Sequence, residues 1–172
     1  MNETRSLIPI RSNSLRLQIE EMPISQLKRN ARSPRVHPDK QIVMLARNID
    51  TFGFLVPCLI DEMNRLLSGN ARMAAAERLG MKNIPVIRVG HLSDAEKRAF
   101  IVADAKLAEL GSWEPDVLRS ELRFLADLAI DFDFSVIGFE TAEVDIILEN
   151  AADGADDDVP TGAAPNQQAI SC

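Results

Sequence analysis

The chain has 172 residues, enough for one domain with a subdomain or tail, and 46% of them are apolar, so it can bury a real core. Aromatics make up only 5% and tyrosine is absent, which leaves that core to Leu, Ile, Val and Ala. The net charge is −7, which argues against wholesale nucleic-acid binding; no apolar run is long enough to span a bilayer, and the two cysteines, Cys58 and Cys172, cannot make a disulfide framework or metal cluster. The N-terminal residues Met1-Asn-Glu-Thr-Arg5 show no signal-peptide pattern, so the cytoplasm is the expected compartment.

The charge is uneven. Residues 1–50 hold nine Lys/Arg against five Asp/Glu, residues 51–149 hold ten against seventeen, and residues 150–172 hold four aspartates and no cation. A basic patch therefore survives locally at Lys28, Arg29, Arg32, Arg35, Lys40 and Arg47. It reads equally well as a phosphate-contacting surface or as a solvated face.

In chain order, residues 1–14 have no periodicity and read as a loose arm. Leu15 to Glu20 alternates apolar and polar, as a half-buried strand does, and Met22 to Leu27 turns into a short helical piece. Lys28 to His37, with Asn30, Ser33 and Pro34, reads as an exposed loop. Asp39 to Phe52 is a helix with Ile42, Leu45, Ala46, Ile49 and Phe52 on one face, ended by Gly53. Phe54 to Asp61 reads as a buried strand, Asp61 to Asn64 as a turn, and the strand from Arg65 as its hairpin partner.

Arg65 to Gly80 reads as strand, glycine turn and helix: Leu66 and Leu67 are apolar, Gly69 breaks the strand, Met73, Ala76 and Leu79 recur at helical spacing, and Gly80 occupies the C-terminal cap position. Such a turn lets backbone approach a ligand and aims the first helical N–H groups, with the positive end of the helix dipole, outward. Arg72 adds a planar cation in the first turn. The pattern suits an anion site on Gly69 and Arg72, but strand-glycine-helix turns are common, and the spacing alone favours a plain tight turn with a solvated arginine.

Ile84 to Val89 forms the next strand. Ser93 and Glu96 make a capping box for a helix running to about Leu110 and stopping at Gly111. Pro115 starts another helix with Leu118, Leu122, Leu125 and Leu128 as its stripe, and Thr141 caps a last short one with Val144, Ile147 and Leu148 inward. From Asn150 on, little remains to bury, and residues 150–172 read as a disordered acidic tail or linker. The organisation is thus an arm (1–14), an α/β module of about four strands (15–92), a helical extension (93–149) and the tail. Glu114 to Asn150 has helices but, being rich in Asp and Glu, lacks the basic face of a helix-turn-helix. His37 and His91 sit beside turns with no metal-ligand spacing, Cys58 reads as a small buried hydrophobe, and Trp113 as packing at a helix junction.

Four segments in order resemble the ParB N-terminal domain of the ParB/sulfiredoxin-like superfamily: Asn30-Ala-Arg-Ser-Pro-Arg35, Ile49-Asp-Thr-Phe-Gly-Phe-Leu-Val-Pro57, Ser68-Gly-Asn-Ala-Arg72 with Ala75, and Ile84-Pro-Val-Ile87. Val102 to Trp113 and Ile137 to Asp145 are similar to the phage and mobile-element type often fused to a DNA methyltransferase. The resemblance implies a small mixed β-sheet with flanking helices. It implies binding of CTP or ATP with Mg²⁺, the phosphates held at Gly69, Asn70, Ala71 and Arg72, with Arg35 nearby and Asp104 as acidic and metal ligand. The basic patch adds an expected DNA contact through Lys28, Arg29, Arg32 and Arg35, the helical extension an expected homodimer or partner surface, the resemblance a DNA methyltransferase domain or protein as partner, and the lack of a long apolar run an expectation of no membrane association.

The chain departs from the family at Ala71, where a basic residue or glycine is frequent, and at Ala105, where an asparagine follows the acid. A methyl group neither ligates metal nor bonds phosphate, so an adapter with a vestigial pocket stands as an alternative. Another is a metal-dependent DNase or phosphotransferase of the same fold. Sulfiredoxin activity is excluded, because the catalytic cysteine after the motif glycine is Asn70 here.

Overall fold

The structure is a computed structural model, and it describes residues 17–128 and 133–149. The arm at 1–14 and the tail at 150–172 lie outside the described residues. Two compact units emerge. One runs through Ser112 and takes in Ser135–Gly138, and the other comprises Trp113–Phe134 and the chain from Phe139.

The first unit is built on four strands: β1 (Ile19–Pro23), β2 (Cys58–Ile60), β3 (Leu66–Ser68) and β4 (Asn83–Arg88). Their order in the sheet is β1-β4-β2-β3. β1 and β4 are antiparallel with Met22 opposite Ile84, β4 and β2 are parallel with Val86 opposite Cys58, and β2 and β3 form an antiparallel hairpin. Pro85 sits on an inner strand without an N–H to offer, and is tolerated because the β2 ladder begins only at its neighbour Val86.

Helices α1 (Asp39–Phe52), α2 (Asn70–Arg78) and α3 (Asp94–Leu107) flank the sheet. Met73 and Ala76 of α2 join Cys58, Ile60, Leu66, Ile84 and Val86 in one apolar cluster, while Ala75 meets Ala46 and Ile49 of α1 in a second. Alanines on two faces of α2 are what let this helix lie close to both the sheet and α1. Gly80 at φ +70° closes α2, its N–H bonded to the Glu77 carbonyl (3.0 Å) and that of Met81 to the Ala76 carbonyl (3.0 Å), the Schellman pattern.

Several boundaries differ from the sequence expectations. The first strand covers Ile19–Pro23, with Leu17 and Gln18 irregular before it, while Leu15 and Arg16 lie outside the described residues. The strand expected over Phe54–Asp61 is confined to Cys58–Ile60. Pro57 lacks an N–H, and Leu55 and Val56 are exposed rather than buried. The helix opened by Ser93 carries the complete capping box but ends at Leu107, where i+3 bonds from Glu109 to Lys106 and from Leu110 to Leu107 tighten the exit. The boundary drawn at residue 92 falls inside the first unit, which includes α3.

Two buried charges fix the hairpin and α3. Asp61 is 1% exposed, and its carboxylate accepts from the Met63 and Arg65 N–H groups (2.8 Å each) and from Arg65 Nε (2.6 Å). Lys97, the one buried residue of α3, donates to Glu62 Oε1 at 2.6 Å. Asp61 and Glu62, adjoining carboxylates that might suggest chemistry, thus serve the architecture.

The second unit contains α4 (Pro115–Asp127) and α5 (Thr141–Glu149). Leu122 and Val144 are buried, and Arg119 Nε donates to the Ile147 carbonyl at 3.1 Å, tying α4 to α5. Trp113 packs on Phe139 with ring centroids 5.7 Å apart but stays 69% exposed, more open than a junction residue would be.

Burial opposes ionisation of Asp61, but the Arg65 N–H and guanidinium and the Met63 N–H outweigh it and hold the carboxyl below its ordinary value of 3.8. A depressed carboxyl stabilises the fold above 3.8, and that contribution drains away as pH falls through the lower folded-state value. The urea midpoint should therefore fall more steeply between about pH 5 and about pH 3 in the native chain than in Asp61→Asn. Asp61→Ala should cost about 3 kcal/mol, since it orphans buried donors.

Candidate functional site

The turn between β3 and α2 is governed by Gly69. Its φ of +106° lies in the left-handed region, and a Cβ placed there would come within 2.5 Å of Cys58 Sγ. Cys58 is wholly buried beneath it, its Sγ 3.6 Å from the Gly69 carbonyl oxygen, and burial pushes the thiol up to about 11 against a smaller opposing pull from Arg72. A neutral thiol beneath backbone is packing, as the sequence suggests, and no nucleophile.

Because glycine is the N-cap of α2, no side chain bonds the first-turn amides. The N–H groups of Asn70, Ala71 and Arg72 therefore keep their donor capacity and the positive end of the helix dipole. They open on a cleft of about 450 Å³, lined by the turn, by Arg35 and Ser33 from the loop before α1, by Asn48 of α1, by Leu55 and Val56, and by Ile101, Asp104 and Ala105 of α3. Every residue that the resemblance assigns to the nucleotide (Gly69, Asn70, Ala71, Arg72, Arg35 and Asp104) lines this one cleft.

The roles differ from simple expectation. Arg72 Nη1 donates to the carbonyls of Val56 (2.8 Å) and Pro57 (3.2 Å), so this arginine, while lining the cleft, braces the segment leading into β2. Asp104 Oδ2 accepts from Ser68 Oγ at 2.9 Å, joining α3 to β3. Asn70 Oδ1 is buried without a hydrogen-bond partner. Arg35 is exposed and has no side-chain partner among the described residues.

The basic patch splits. Arg35 faces this cleft, whereas Arg29 and Arg32 line a second one. Arg29 also pairs with Glu77. Lys28 is held through its backbone, its N–H bonded to the Asn64 carbonyl (2.8 Å) and its carbonyl to the Leu66 N–H (2.9 Å). His37 Nδ1 lies 3.0 Å from Gln41 Oε1 on the exposed start of α1.

A helix N-terminus without a cap and two arginines fit the phosphates of a nucleotide. The metal fit is thinner. Among the described residues no three His, Cys, Asp or Glu groups come together, so Asp104 would be a lone protein ligand to a Mg²⁺ otherwise held by phosphates and water. Sequence reasoning missed Ser68, Val56 and Ile101. Ser68 directly precedes the motif glycine, which is the signal that could have found it.

A four-stranded mixed sheet with flanking helices and a glycine-turned helix at its cleft defines the ParB/sulfiredoxin-like class. The crystal structure of C-terminally truncated ParB from Caulobacter crescentus, complexed with CTP-gamma-S, superposes with a TM-score of 0.66 over 78% of this chain and 79% of that one; at 20% identity the likeness is one of fold. The ParB N-terminal domain model matches residues 11–105, more than half of the chain, and a ParB-methyltransferase HTH domain model matches residues 116–172. The chain belongs to the ParB N-terminal domain family.

The ParB-like nuclease domain-containing protein YnaK of Escherichia coli is 36% identical over 85 residues, 49% of this chain and 98% of that protein. The nucleoid occlusion protein of Bacillus cereus is 31% identical over 117 residues, 64% of this chain but only 40% of its own length. The second family match falls on the stretch from Asp116, where the structure places α4 and α5, with Gly138 at φ +93° ahead of α5, and where the sequence lacks a basic face. No helix among the described residues is long and apolar enough to cross a membrane.

Gly69→Ala should destabilise the fold by about 3 kcal/mol, from left-handed strain plus the Cys58 contact. Cys58→Ala in the same chain should recover part of that loss, read as a non-additive double-mutant cycle in chemical denaturation. Strictly additive losses would contradict the close contact.

Proposed function

We propose that the first unit binds a nucleoside triphosphate, its phosphates at the N-terminus of α2, within a DNA-associated protein. The observation that carries this is the bare first turn of α2 opening on a cleft with Arg35 and Arg72 at its wall. The Asn70, Ala71 and Arg72 amides and the two guanidinium groups bind the phosphates, and Asp104 supplies the single carboxylate for a phosphate-bound Mg²⁺. The Caulobacter ParB complex with CTP-gamma-S makes CTP the first nucleotide to test, with ATP second. Association with DNA is supported by the names of the relatives, chromosome partitioning and nucleoid occlusion, and by the HTH family match, which also suggests a DNA methyltransferase as partner.

A second reading has one observation behind it. Arg72 and Asp104 already hold protein partners, and Ala105 presents a methyl group to the cleft. A pocket satisfied from within is what an adapter with a vestigial site would show.

Calorimetric titration with CTP and with ATP, each with and without Mg²⁺, separates the two. Arg35→Ala is the informative variant, because Arg72→Ala would also release Val56 and Pro57. Saturable CTP binding that weakens by about tenfold in Arg35→Ala is expected. No heat with either nucleotide from the folded chain would leave the adapter reading standing.

A further inference from the structure

A second cleft, of about 590 Å³, shares Leu67 and Ile101 with the first. Five cations line it, Arg29 and Arg32 from the loop after β1, Arg65 before β3, and Lys97 and Arg98 on α3, against two carboxylates, Asp61 and Asp94. Arg65 is committed to Asp61, Lys97 to Glu62 and Asp94, and Arg29 to Glu77. Arg32 and Arg98 are exposed, come from different elements, and have no side-chain partner among the described residues.

The loop that carries Arg32 is held in place. Lys28 is bonded through its backbone to Asn64 and Leu66, and Asn30 Oδ1 accepts from the Arg32 N–H at 2.9 Å. A positive cleft thus persists in a chain of net charge −7. Among the described residues no aromatic ring lines it, and Asn30 is its one neutral hydrogen-bonding side chain, so it has little with which to read a base or a small molecule of defined shape. Charge is what it recognises, and a backbone of repeated phosphates presents charge without shape.

We propose that this cleft binds the phosphodiester backbone of duplex DNA, with Arg32 and Arg98 as its two contacting cations. The proposal rests on the DNA-associated part of the reading above and is independent of the nucleotide. It also moves the DNA surface expected from sequence: Arg35 belongs to the other cleft, and Arg98, more than sixty residues beyond Arg32, replaces it.

The test is fluorescence anisotropy of the full chain with a labelled duplex of mixed sequence, across a salt series, beside the double variant Arg32→Ala/Arg98→Ala. CTP binding is measured in parallel by calorimetry. We expect duplex affinity to fall by about tenfold or more in the double variant, the salt slope to drop by about 2, and CTP binding to be unchanged. Equal affinity and slope in the two chains, or no duplex binding by the native chain at low salt, would overturn the proposal. Binding of a labelled poly-glutamate peptide but not of duplex, lost in the double variant, would assign the cleft to an acidic protein and overturn it too. Absence of CTP binding alone would count against the nucleotide reading and leave this one intact.

Discussion

The close approach of Gly69 to Cys58 is the constraint on which the first unit turns. The hairpin β2–β3 places the wholly buried Cys58 beneath the end of β3, and only a residue without a Cβ passes over it at φ +106°. The same residue is the N-cap of α2. A serine or aspartate there would have satisfied the first-turn amides from within, as such caps do. Glycine leaves them to whatever occupies the cleft. A packing requirement in the core thus becomes a binding capacity at the surface.

The far wall of the cleft is held differently. The one buried residue of α3 is Lys97, not an apolar side chain, and α3 attaches through the Lys97–Glu62 ion pair and the Ser68–Asp104 hydrogen bond. Both Asp104 and Lys97 are therefore positioned by polar contacts with the hairpin, whose turn is in turn fixed by Asp61. Two clefts share this helix: its first half gives Lys97 and Arg98 to the basic cleft, its second half Asp104 and Ala105 to the other. Polar attachment ties the geometry of both to one charged network, where removing one buried partner is costly.

Much of this was legible in sequence where a local signal is strong. The helix from Asp39 to Phe52, the Gly53 and Gly80 stops, the Ser93 capping box and the Gly69 turn all rest on residues whose conformational role does not depend on distant parts of the chain. Strand length was less legible: Phe54 to Asp61 is apolar enough for a strand, but pairing partners decide where a ladder begins, and they exist only for Cys58–Ile60. The convergence of Arg35, Asp104 and the α2 turn came from family resemblance, since no spacing rule brings residues so far apart together. Bracing by Arg72 of the Val56 and Pro57 carbonyls was invisible, because a side chain's choice between ligand and backbone is a matter of tertiary geometry. On the stretch that the second family model matches, basic charge gives no signal of nucleic-acid contact, because α4 carries Asp116, Glu121 and Asp127 beside its arginines.

The central claim is that the bare first turn of α2 receives phosphates. Its most direct test is ¹⁵N–¹H NMR of the chain during titration with CTP, following the backbone amides of Asn70, Ala71 and Arg72. If phosphates accept from these N–H groups, their resonances move farthest and saturate together, with amides on the face of α4 unchanged. If CTP saturates the protein while these three amides stay in place, the nucleotide sits elsewhere and the account of the Gly69 turn is wrong.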